Sequence, residues 1–303
     1  MQPRVLIISP VRNEAAHIER VVRAVAAQEL APAAWVVVDD GSDDGTLERL
    51  RELEQSVPFL AVLAAPASTG PAPRDRLKRA AAPRTFNRGL ASVDGPSFTH
   101  VMKLDGDVEL PPEYLRRLME RFDADPLLGI ACGDLVEPQA DGTVRRIPIP
   151  PHHVHGALKC YSRTCFDAIG GVQERLGWDT IDETYARMRG FTTRSFADLV
   201  GLHLRPLGSA DGTIRGRARH GECAWIAHFG LAWVSLRAVK IARSRPVGLS
   251  GLAFLYGYLR AAATRTERVP DREFRRFARR ELRARMRRAV VPGALARAGS
   301  DAA

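Results

Sequence analysis

The sequence predicts an α/β fold with a Rossmann-like mixed sheet, flanking helices and a C-terminal helical extension. Through the first hundred residues, short apolar runs alternate with amphipathic helical patterns, which is typical of strand–helix–strand units. Acidic residues directly follow two of the predicted strands, at the edge where open sheets bind ligands. Past Gly216 the pattern changes to apolar and basic helices. We therefore expect a first domain over residues 1–216 and a helical region over residues 217–303.

Each element of the first domain has its own local pattern. Four apolar runs predict buried strands at residues 5–8, 35–38, 59–63 and 100–104. The first helix opens at Asn13 and carries Ile18, Val21, Val22 and Val25 on one face. Further helices are predicted around Leu50 and over residues 86–93, 112–122, 163–170 and 177–189, with an extended run at 129–132 and a hairpin at 141–142. Residues 64–85, which contain Arg74, Lys78 and Arg84, predict an irregular loop.

Charge and cysteine content restrict the cellular setting and the partners. The chain of 303 residues has a formal net charge of +10, which favours an anionic partner. Its four cysteines form no C-x-x-C pair, so reduced thiols and a cytoplasmic location are expected. The apolar run at residues 5–8 is too short for a signal-peptide core, and no spanning run of about 18 apolar residues occurs.

Two acidic clusters suggest chemistry at the strand ends. Asp39 and Asp40 follow the second strand, and Asp105 and Asp107 follow the fourth with Gly106 between them. A tight turn can direct both carboxylates of the second cluster at one point. Mg²⁺ and Mn²⁺ prefer such oxygen ligands and complete their coordination with phosphate and water. The pattern predicts a divalent-cation site.

Four stretches together resemble the family 2 glycosyltransferases, which have the GT-A fold. They are SPVRNE at 9–14, VVVDDGSDDGT at 36–46, KLDGD at 103–107 and GWDTIDE at 177–183. The resemblance extends from residue 5 to about residue 206. It implies a metal-dependent enzyme that moves a sugar from a nucleotide diphosphate sugar to a hydroxyl acceptor, by direct displacement with inversion.

The resemblance also implies residues for the donor and the cation. It places Pro10, Val11 and Glu14 along the nucleotide pocket and Asp39 and Asp40 against the base and ribose. Other donor-side residues are Asn87, Lys103 and Asp105. The metal ligands implied are Asp105 and Asp107, the DxD motif of the family, together with His203.

The catalytic base is expected among three acids at the start of one helix. The family usually has a Glu-Asp pair where this sequence has Ile181-Asp182-Glu183, and Asp182 takes the place of its Asp. Asp179 and Glu183 remain alternatives, because residues three and four apart share a helix face. On the acceptor side the resemblance points to Gly156 and Ala157, and Trp178 could stack on a sugar.

The region at 217–303 predicts a further partner. Apolar segments at 224–242 and 247–259 contain Trp and Tyr and are followed by an arginine-rich tail. Such helices suit an anionic membrane surface, which favours a peripheral position on its inner face. The alternative is packing on the first domain or in a homodimer. Nucleic acid is a weaker candidate, because no recognition motif accompanies the charge. The family resemblance implies a saccharide or lipid-linked acceptor.

Two other functions share the predicted sheet. A sugar-nucleotide nucleotidyltransferase would carry a Gly-rich basic loop after the first strand, where this chain has Pro10-Val11-Arg12. A non-catalytic membrane or nucleic-acid scaffold would not need Asp105, Asp107 and Asp182. The sequence therefore favours the glycosyltransferase.

Overall fold

The structure is a computed structural model that describes residues 2–65, 80–93, 98–139, 141–205 and 212–290. The chain divides into two compact units, residues 1–207 and residues 208–303. The first contains the sheet and its helices, and the second is helical. The domain boundary predicted near residue 216 falls within the helix Thr213–Ile226. The predicted loop residues Arg74 and Lys78 lie outside the described residues.

One mixed sheet organises the first unit. Its strands among the described residues are β1 (Val5–Val11), β2 (Ala34–Asp39), β3 (Leu60–Ala64), β4 (His100–Leu104), β5 (Val108–Glu109), β6 (Leu128–Pro138), β7 (Val144–Arg146), β8 (Leu158–Ser162) and β9 (Thr192–His203). They lie in the order β3-β2-β1-β4-β8-β6-β9-β5, with β7 paired to β6. This mixed sheet confirms the predicted fold class.

The register of the sheet brings the candidate residues to one edge. Strands β1 to β4 are parallel, so β1, β2 and β4 all end on the same side. Strand β8 runs antiparallel to β4, with Leu158 opposite Leu104. The residues just before β8 therefore lie at the same edge as those just after β4. Four segments distant in sequence converge there.

Helices cover the sheet of the first unit and make up the second. In the first unit they are α1 (Ile18–Ala26), α2 (Thr46–Glu54), α3 (Ala81–Ala91), α4 (Tyr114–Ala124), α5 (Arg163–Ala168) and α6 (Trp178–Met188). The second unit contains α7 (Thr213–Ile226), α8 (Leu231–Ile241), α9 (Leu249–Ala263) and α10 (Arg272–Val290). The start of α3 corrects the predicted loop, which was drawn through Thr85.

Close packing fixes α3 on the parallel strands. A Cβ atom at Gly89 would stand 2.7 Å from Ile8 Cγ2 of β1 and 2.9 Å from Val38 Cγ2 of β2. Only glycine allows this approach, which brings the helix backbone against the sheet. Trp35 of β2 is fully buried, and its indole N–H donates to Ser9 Oγ at 2.9 Å. These contacts hold α3, β1 and β2 together.

The second unit has its own core. The apolar segment at 224–242 is not one continuous helix as expected, because the chain breaks between α7 and α8, where His228 has a φ of 63° and Gly230 precedes α8. Helices α7 and α9 approach so closely that a Cβ at Gly257 would stand 1.8 Å from Ala218 O. Among the described residues no helix is long and apolar enough to cross a membrane.

Candidate active site

The ends of β1 and β2 form one side of the candidate site. Val11 is paired with Asp39, and the backbone N–H of Asp40 donates to Val11 O at 2.9 Å. Pro10, opposite Val38, completes this strand end. The four residues predicted to contact the nucleotide here are therefore neighbours at the sheet edge.

Asp39 and Asp40 have different surroundings. Asp39 is buried, and its Oδ2 accepts the backbone N–H groups of Gly41 and Ser42 at 3.1 and 3.0 Å. This carboxylate holds its own turn together, which is a common use of Asp at a strand end. Asp40 is half-buried, and its carbonyl accepts from Arg12 Nη1 at 3.0 Å.

The turn after β4 lies against β1. A Cβ at Gly106 would stand 2.7 Å from Val11 Cγ1 and 3.2 Å from Glu14 Cγ, so the turn requires glycine at its centre. This contact brings Asp105 and Asp107 close to Glu14. We refer to these three acids, Glu14, Asp105 and Asp107, as the carboxylate cluster.

Two carboxyl groups of this cluster, those of Glu14 and Asp105, have raised pKa values. Burial and the neighbouring Asp107 raise the pKa of Glu14 to about 7, although Arg205 pulls it down. Partial burial also raises the pKa of Asp105, whose side chain is 34% exposed, against the lowering by Lys103, and Asp107 adds to the rise. Like charges crowded together disfavour ionisation, and a cation at the same point would reverse that cost.

Arg205 and His203 border the cluster from the end of β9. The Arg205 guanidinium donates to Glu14 Oε2, and its Nε lies 3.7 Å from Asp107 Oδ2. The Nδ1–H of His203 donates to Arg205 O, and Nε2 lies 3.6 Å from Asp107 Oδ1. Metal-binding histidines commonly have this arrangement, with one ring nitrogen tied to a carbonyl. Arg205 was not among the site residues predicted from the sequence.

Lys103 connects the cluster to the predicted acceptor side. Its side chain is buried in β4 and donates to Asp105 Oδ1 and, at 2.9 Å, to Gly156 O. The backbone N–H of Asp105 donates to Ala157 O at 2.8 Å. Gly156 and Ala157 thus lie directly beside the DxD turn, as the antiparallel register of β8 requires.

The start of α6 holds a second group of acids in different surroundings. Asp182 and Glu183, which we call the buried acid pair, are only 3% and 2% exposed. Lys159 Nζ of β8 lies 3.1 Å from Asp182 Oδ1 and 3.2 Å from Glu183 Oε1. The hydroxyl of Tyr161, also in β8, donates to Asp182 Oδ2.

Every carboxylate oxygen of Glu183 has a partner. Oε1 accepts the backbone N–H of Val154 at 2.9 Å, and Oε2 lies 3.1 Å from His153 Nδ1. Burial favours the neutral acid, but Lys159 and His153 outweigh it and lower the pKa of Glu183 to about 2. Burial raises the pKa of Asp182 to about 7 despite Lys159. Of these two adjacent acids, Asp182 therefore binds a proton more readily and Glu183 stays ionised.

Asp179 occupies a more open position than the buried acid pair. It is half-buried in the first turn of α6, next to Trp178. A Cβ at Gly156 would stand 3.5 Å from Trp178 Cζ2 and 3.7 Å from Asp179 Oδ2. The side chains of Trp178 and Asp179 therefore border the predicted acceptor-side loop, next to the Lys103 contact described above.

Two further residues are Asn87, which was predicted to lie on the donor side, and the buried His155. Asn87 of α3 donates to Val172 O at 2.9 Å and to Glu174 Oε1 at 3.2 Å, so its amide is used by the loop after α5. His155 is buried with no hydrogen-bond partner for Nε2, and burial lowers its pKa to about 4. Its ring is consequently neutral at neutral pH.

The donor set of the carboxylate cluster suits a hard divalent cation. Within residues 2–65, 80–93, 98–139, 141–205 and 212–290, no three His, Cys, Asp or Glu side chains stand in position to hold a metal by themselves. Mg²⁺ and Mn²⁺ sites of this class often use only one or two carboxylates, with substrate phosphates supplying the rest. The two aspartates of the DxD turn fit that requirement, and Nε2 of His203 lies next to them, 3.6 Å from Asp107 Oδ1.

The mixed sheet, with carboxylates gathered at the ends of its parallel strands, is the arrangement that the predicted GT-A fold requires. The sequence model described as "Glycosyl transferase family 2" matches residues 6–170, which is more than half of the chain. The chain therefore belongs to this family and is a glycosyltransferase. The predicted family and enzyme class are confirmed, and they decide against the nucleotidyltransferase alternative.

Solved structures show the same fold at low sequence identity. Mannosyltransferase PcManGT from Pyrobaculum calidifontis, in complex with GDP-Man and Mn²⁺, matches with a TM-score of 0.55 and 20% identity over 96% of this chain and 81% of that chain. S. aureus TarS 1-349 in complex with UDP-GlcNAc gives 0.54 and 17% over 86% and 73%. Another S. aureus TarS structure matches with a TM-score of 0.52 and 15% identity over 84% of this chain. The match spans only 43% of the length of that TarS chain. A search of curated proteins found no match.

Proposed function

We propose that this glycosyltransferase moves a sugar from a nucleotide diphosphate sugar to a hydroxyl acceptor, with a divalent cation and with inversion at the anomeric carbon. The observation that carries the proposal is the carboxylate cluster, gathered with His203 at the shared edge of β1, β4 and β9. The solved structures with GDP-Man and Mn²⁺ and with UDP-GlcNAc support a donor of this class.

The donor would lie along the ends of β1 and β2. Pro10 and Val11 offer an apolar wall to the base, and the half-buried Asp40 is the better placed of the two aspartates to accept from the ribose or the base. Asp39 would act by fixing the turn, because its oxygens already accept from Gly41 and Ser42. Asn87 keeps its predicted donor role only if its bonds to Val172 and Glu174 exchange for the substrate.

Asp105, Asp107 and His203 would hold the cation, with Glu14 and Arg205 setting the charge around it. A bound cation of this kind offsets the negative charge that develops on the leaving diphosphate. Arg205 already bridges Glu14 and Asp107. Its guanidinium would orient those carboxylates, and it lowers the pKa of Glu14 against the rise caused by burial and Asp107.

Among the acids of α6 we favour Asp179 as the catalytic base. Asp182, the first choice from the sequence, is 3% exposed and is held by Lys159 and Tyr161, so an acceptor hydroxyl cannot reach it without breaking that network. Asp179 borders Trp178 and Gly156 and is half-buried. Its carboxylate would take the hydroxyl proton while the acceptor oxygen bonds to the anomeric carbon and the bond to the diphosphate breaks.

The acceptor would enter on the side of Gly156, Ala157 and Trp178. The indole lies near two buried ammonium groups, 5.6 Å from Lys103 Nζ and 5.4 Å from Lys159 Nζ. These cations fix the ring, which would then offer a rigid surface to a sugar. We infer a saccharide or lipid-linked acceptor and a reaction at the cytoplasmic face of a membrane.

Thermal-shift measurements test the donor site. The protein is heated with UDP, GDP, CDP or dTDP, each with and without Mn²⁺, and Asp107→Ala is compared with the unaltered chain. Ligands that bind only the native state raise its melting temperature. We expect one nucleotide to give a shift that needs both Mn²⁺ and Asp107. No shift with any of the four nucleotides would contradict the proposal.

Two conservative variants test the base. Asp179→Asn should lower kcat by about 10²–10⁴-fold, as expected for loss of a general base, and should leave the melting temperature nearly unchanged. Asp182→Asn should lower the melting temperature and reduce kcat much less. The reverse pattern would return the role to Asp182.

A further inference from the structure

Helix α9 presents an apolar stripe to solvent. Leu249, Leu252, Tyr256 and Leu259 recur at spacings of three and four residues, and they are 57%, 64%, 60% and 48% exposed. These spacings place all four on one side of a helix. The other side is used by the core of the second unit, where Phe254 is buried. The stripe is therefore surplus to the packing of its own unit.

Neighbouring residues enlarge the apolar surface. Val247, just before α9, is 71% exposed, and Leu236 and Val239 of α8 are 56% and 62% exposed. Exposed apolar side chains scattered singly are ordinary, but a cluster of this size on neighbouring elements indicates a binding surface. Of the aromatic residues in the two apolar segments, Tyr256 belongs to the stripe, whereas Trp225, Phe229, Trp233 and Tyr258 pack within the unit. Trp225 packs on Tyr258 with ring centroids 5.5 Å apart, and Phe229 packs on Trp233 at 4.7 Å.

The charge around this stripe has a single sign. From Cys223 to Thr266 the chain contains no Asp or Glu, and its six basic residues are Arg237, Lys240, Arg243, Arg245, Arg260 and Arg265. All six are exposed. Arg243 and Arg245 precede the stripe, whereas Arg260 and Arg265 lie at its C-terminal end. An anionic surface would satisfy both ends at once.

Helix α10 adds further positive charge to the second unit. It packs through Phe274, Ala278 and Leu282, and a groove of about 450 Å³ is lined by Arg276, Arg279, Arg280, Arg283 and Arg287. Over residues 212–290 as a whole, 19 Arg and Lys stand against 5 Asp and Glu. Basic residues near an anionic bilayer each add to the attraction.

We propose that the stripe of α9, with Val247 and the arginines at both its ends, docks on an anionic lipid bilayer. An amphipathic helix lying in the headgroup region has this combination of leucines, tyrosine and flanking arginines. Nucleic acid would satisfy the arginines but would leave the leucines in water. A second copy of the chain would cover the leucines but would bring two acid-free basic rims together, which is electrostatically unfavourable.

Vesicle sedimentation with the full-length protein tests the docking. The probes are phosphatidylcholine vesicles and phosphatidylcholine vesicles containing phosphatidylglycerol, with no nucleotide or sugar present. Because binding is measured without catalysis, its outcome is independent of the proposed reaction. We expect binding to the anionic vesicles only, weakening as salt is raised.

Two sets of variants separate the apolar and the charged contributions. Leu252→Ser with Leu259→Ser should weaken binding by about tenfold per leucine, since each loses most of its apolar insertion. Arg243→Gln with Arg245→Gln should weaken it by about fivefold per arginine at low salt and much less at high salt. The matched control, Leu127→Ser with Val144→Ser, removes residues 59% and 61% exposed in the first unit and should bind like the unaltered chain.

Folding and self-association are monitored on the same samples. Circular dichroism and melting temperature should not change for the leucine variants, because the side chains are exposed. The proposal is overturned if the unaltered protein ignores anionic vesicles, or if the leucine variants bind as well as it does. It is equally overturned if light scattering shows a dimer that the leucine variants dissociate while vesicle binding is absent, since a second copy then covers the stripe.

Discussion

The two acidic groups of the first unit contain the same residue types but have opposite electrostatic surroundings. In the buried acid pair, Lys159 and His153 hold Glu183 ionised, and every oxygen of Asp182 and Glu183 already has a partner from the protein, although burial raises the pKa of Asp182. The carboxylate cluster crowds three acids against Arg205 and Lys103, and Glu14 titrates near neutrality. The comparison teaches that acid density alone does not mark a ligand site. A ligand site is marked instead by acids whose negative charge the protein's own cations do not fully neutralise.

The largest expected effect is on stability, and it comes from removing the cation of the buried acid pair. Lys159→Met should lower the free energy of unfolding by about 3–5 kcal/mol, because it leaves buried carboxylates unpaired. Lys103→Met, at the position directly opposite in β4, should cost distinctly less, since the Asp105 side chain is 34% exposed and water can solvate it. Urea unfolding of both variants measures the difference. Equal losses would remove the distinction between the two groups.

The carboxylate cluster should show the opposite sensitivity. Asp107→Ala should lower kcat by about 10²–10³-fold, roughly 3–4 kcal/mol of transition-state stabilisation, with little change in melting temperature. Initial rates with Mn²⁺ and the donor identified by thermal shift provide the measurement. Asp141→Ala, at an exposed turn outside the site, is the control and should keep full activity. A lower melting temperature of Asp107→Ala with an unchanged kcat would contradict the comparison.

Lowering the pH should remove the contribution of Glu183 to the free energy of unfolding. Its pKa is about 2 in the folded chain against an ordinary value of 4.5, so it stabilises the fold above pH 4.5 and loses this effect as the pH falls from 4.5 toward 2. The stabilisation at neutral pH is about 3 kcal/mol. Glu183→Gln should therefore be less stable than the unaltered chain at pH 6, with the deficit shrinking toward pH 3. Urea unfolding over this range provides the measurement, and a deficit independent of pH would argue against an ionised Glu183.

The smallest effect concerns the glycine inside the DxD turn. Gly106→Ala should cost about 1–3 kcal/mol, because its Cβ would press on Val11 and Glu14. The same displacement should weaken Mn²⁺-dependent nucleotide binding in the thermal-shift experiment. Gly216→Ala, whose Cβ would meet nothing within 4 Å, is the control and should be neutral or slightly stabilising. Equal behaviour of the two variants would mean that the turn tolerates the contact.

The order of the strands up to β4, and of the helices of the first unit, could be predicted from local pattern. Apolar runs and amphipathic spacing mark β1 to β4 and α1 to α6, and the acids after β2 and β4 indicate the functional edge. The break between α7 and α8 was missed because the apolar run continues through it, and only Gly230 gives a weak local signal. Strand β9, which carries His203 and ends next to Arg205, depends on pairing with distant β6.

Burial of Asp182 could not be predicted from its own helix. Spacing on α6 leaves Asp179, Asp182 and Glu183 nearly equivalent, and what separates them comes from β8. One signal was available, since Lys159 interrupts the otherwise apolar run Leu158-Lys159-Cys160-Tyr161. A cation in a buried strand must find an acid, but the sequence does not say which one.

Lys103 and Lys159 stand opposite each other in the β4–β8 pair, each bonded to a different acidic group and each near the ring of Trp178. This arrangement constrains how the chain can evolve. A homologue that replaces Lys159 with an apolar residue should also have lost the charge of Asp182 or Glu183, whereas replacement of Lys103 should accompany changes at Asp105. Among homologues, Lys103 should therefore co-vary with Asp105, and Lys159 with Asp182 or Glu183, although the two lysines are neighbours in space.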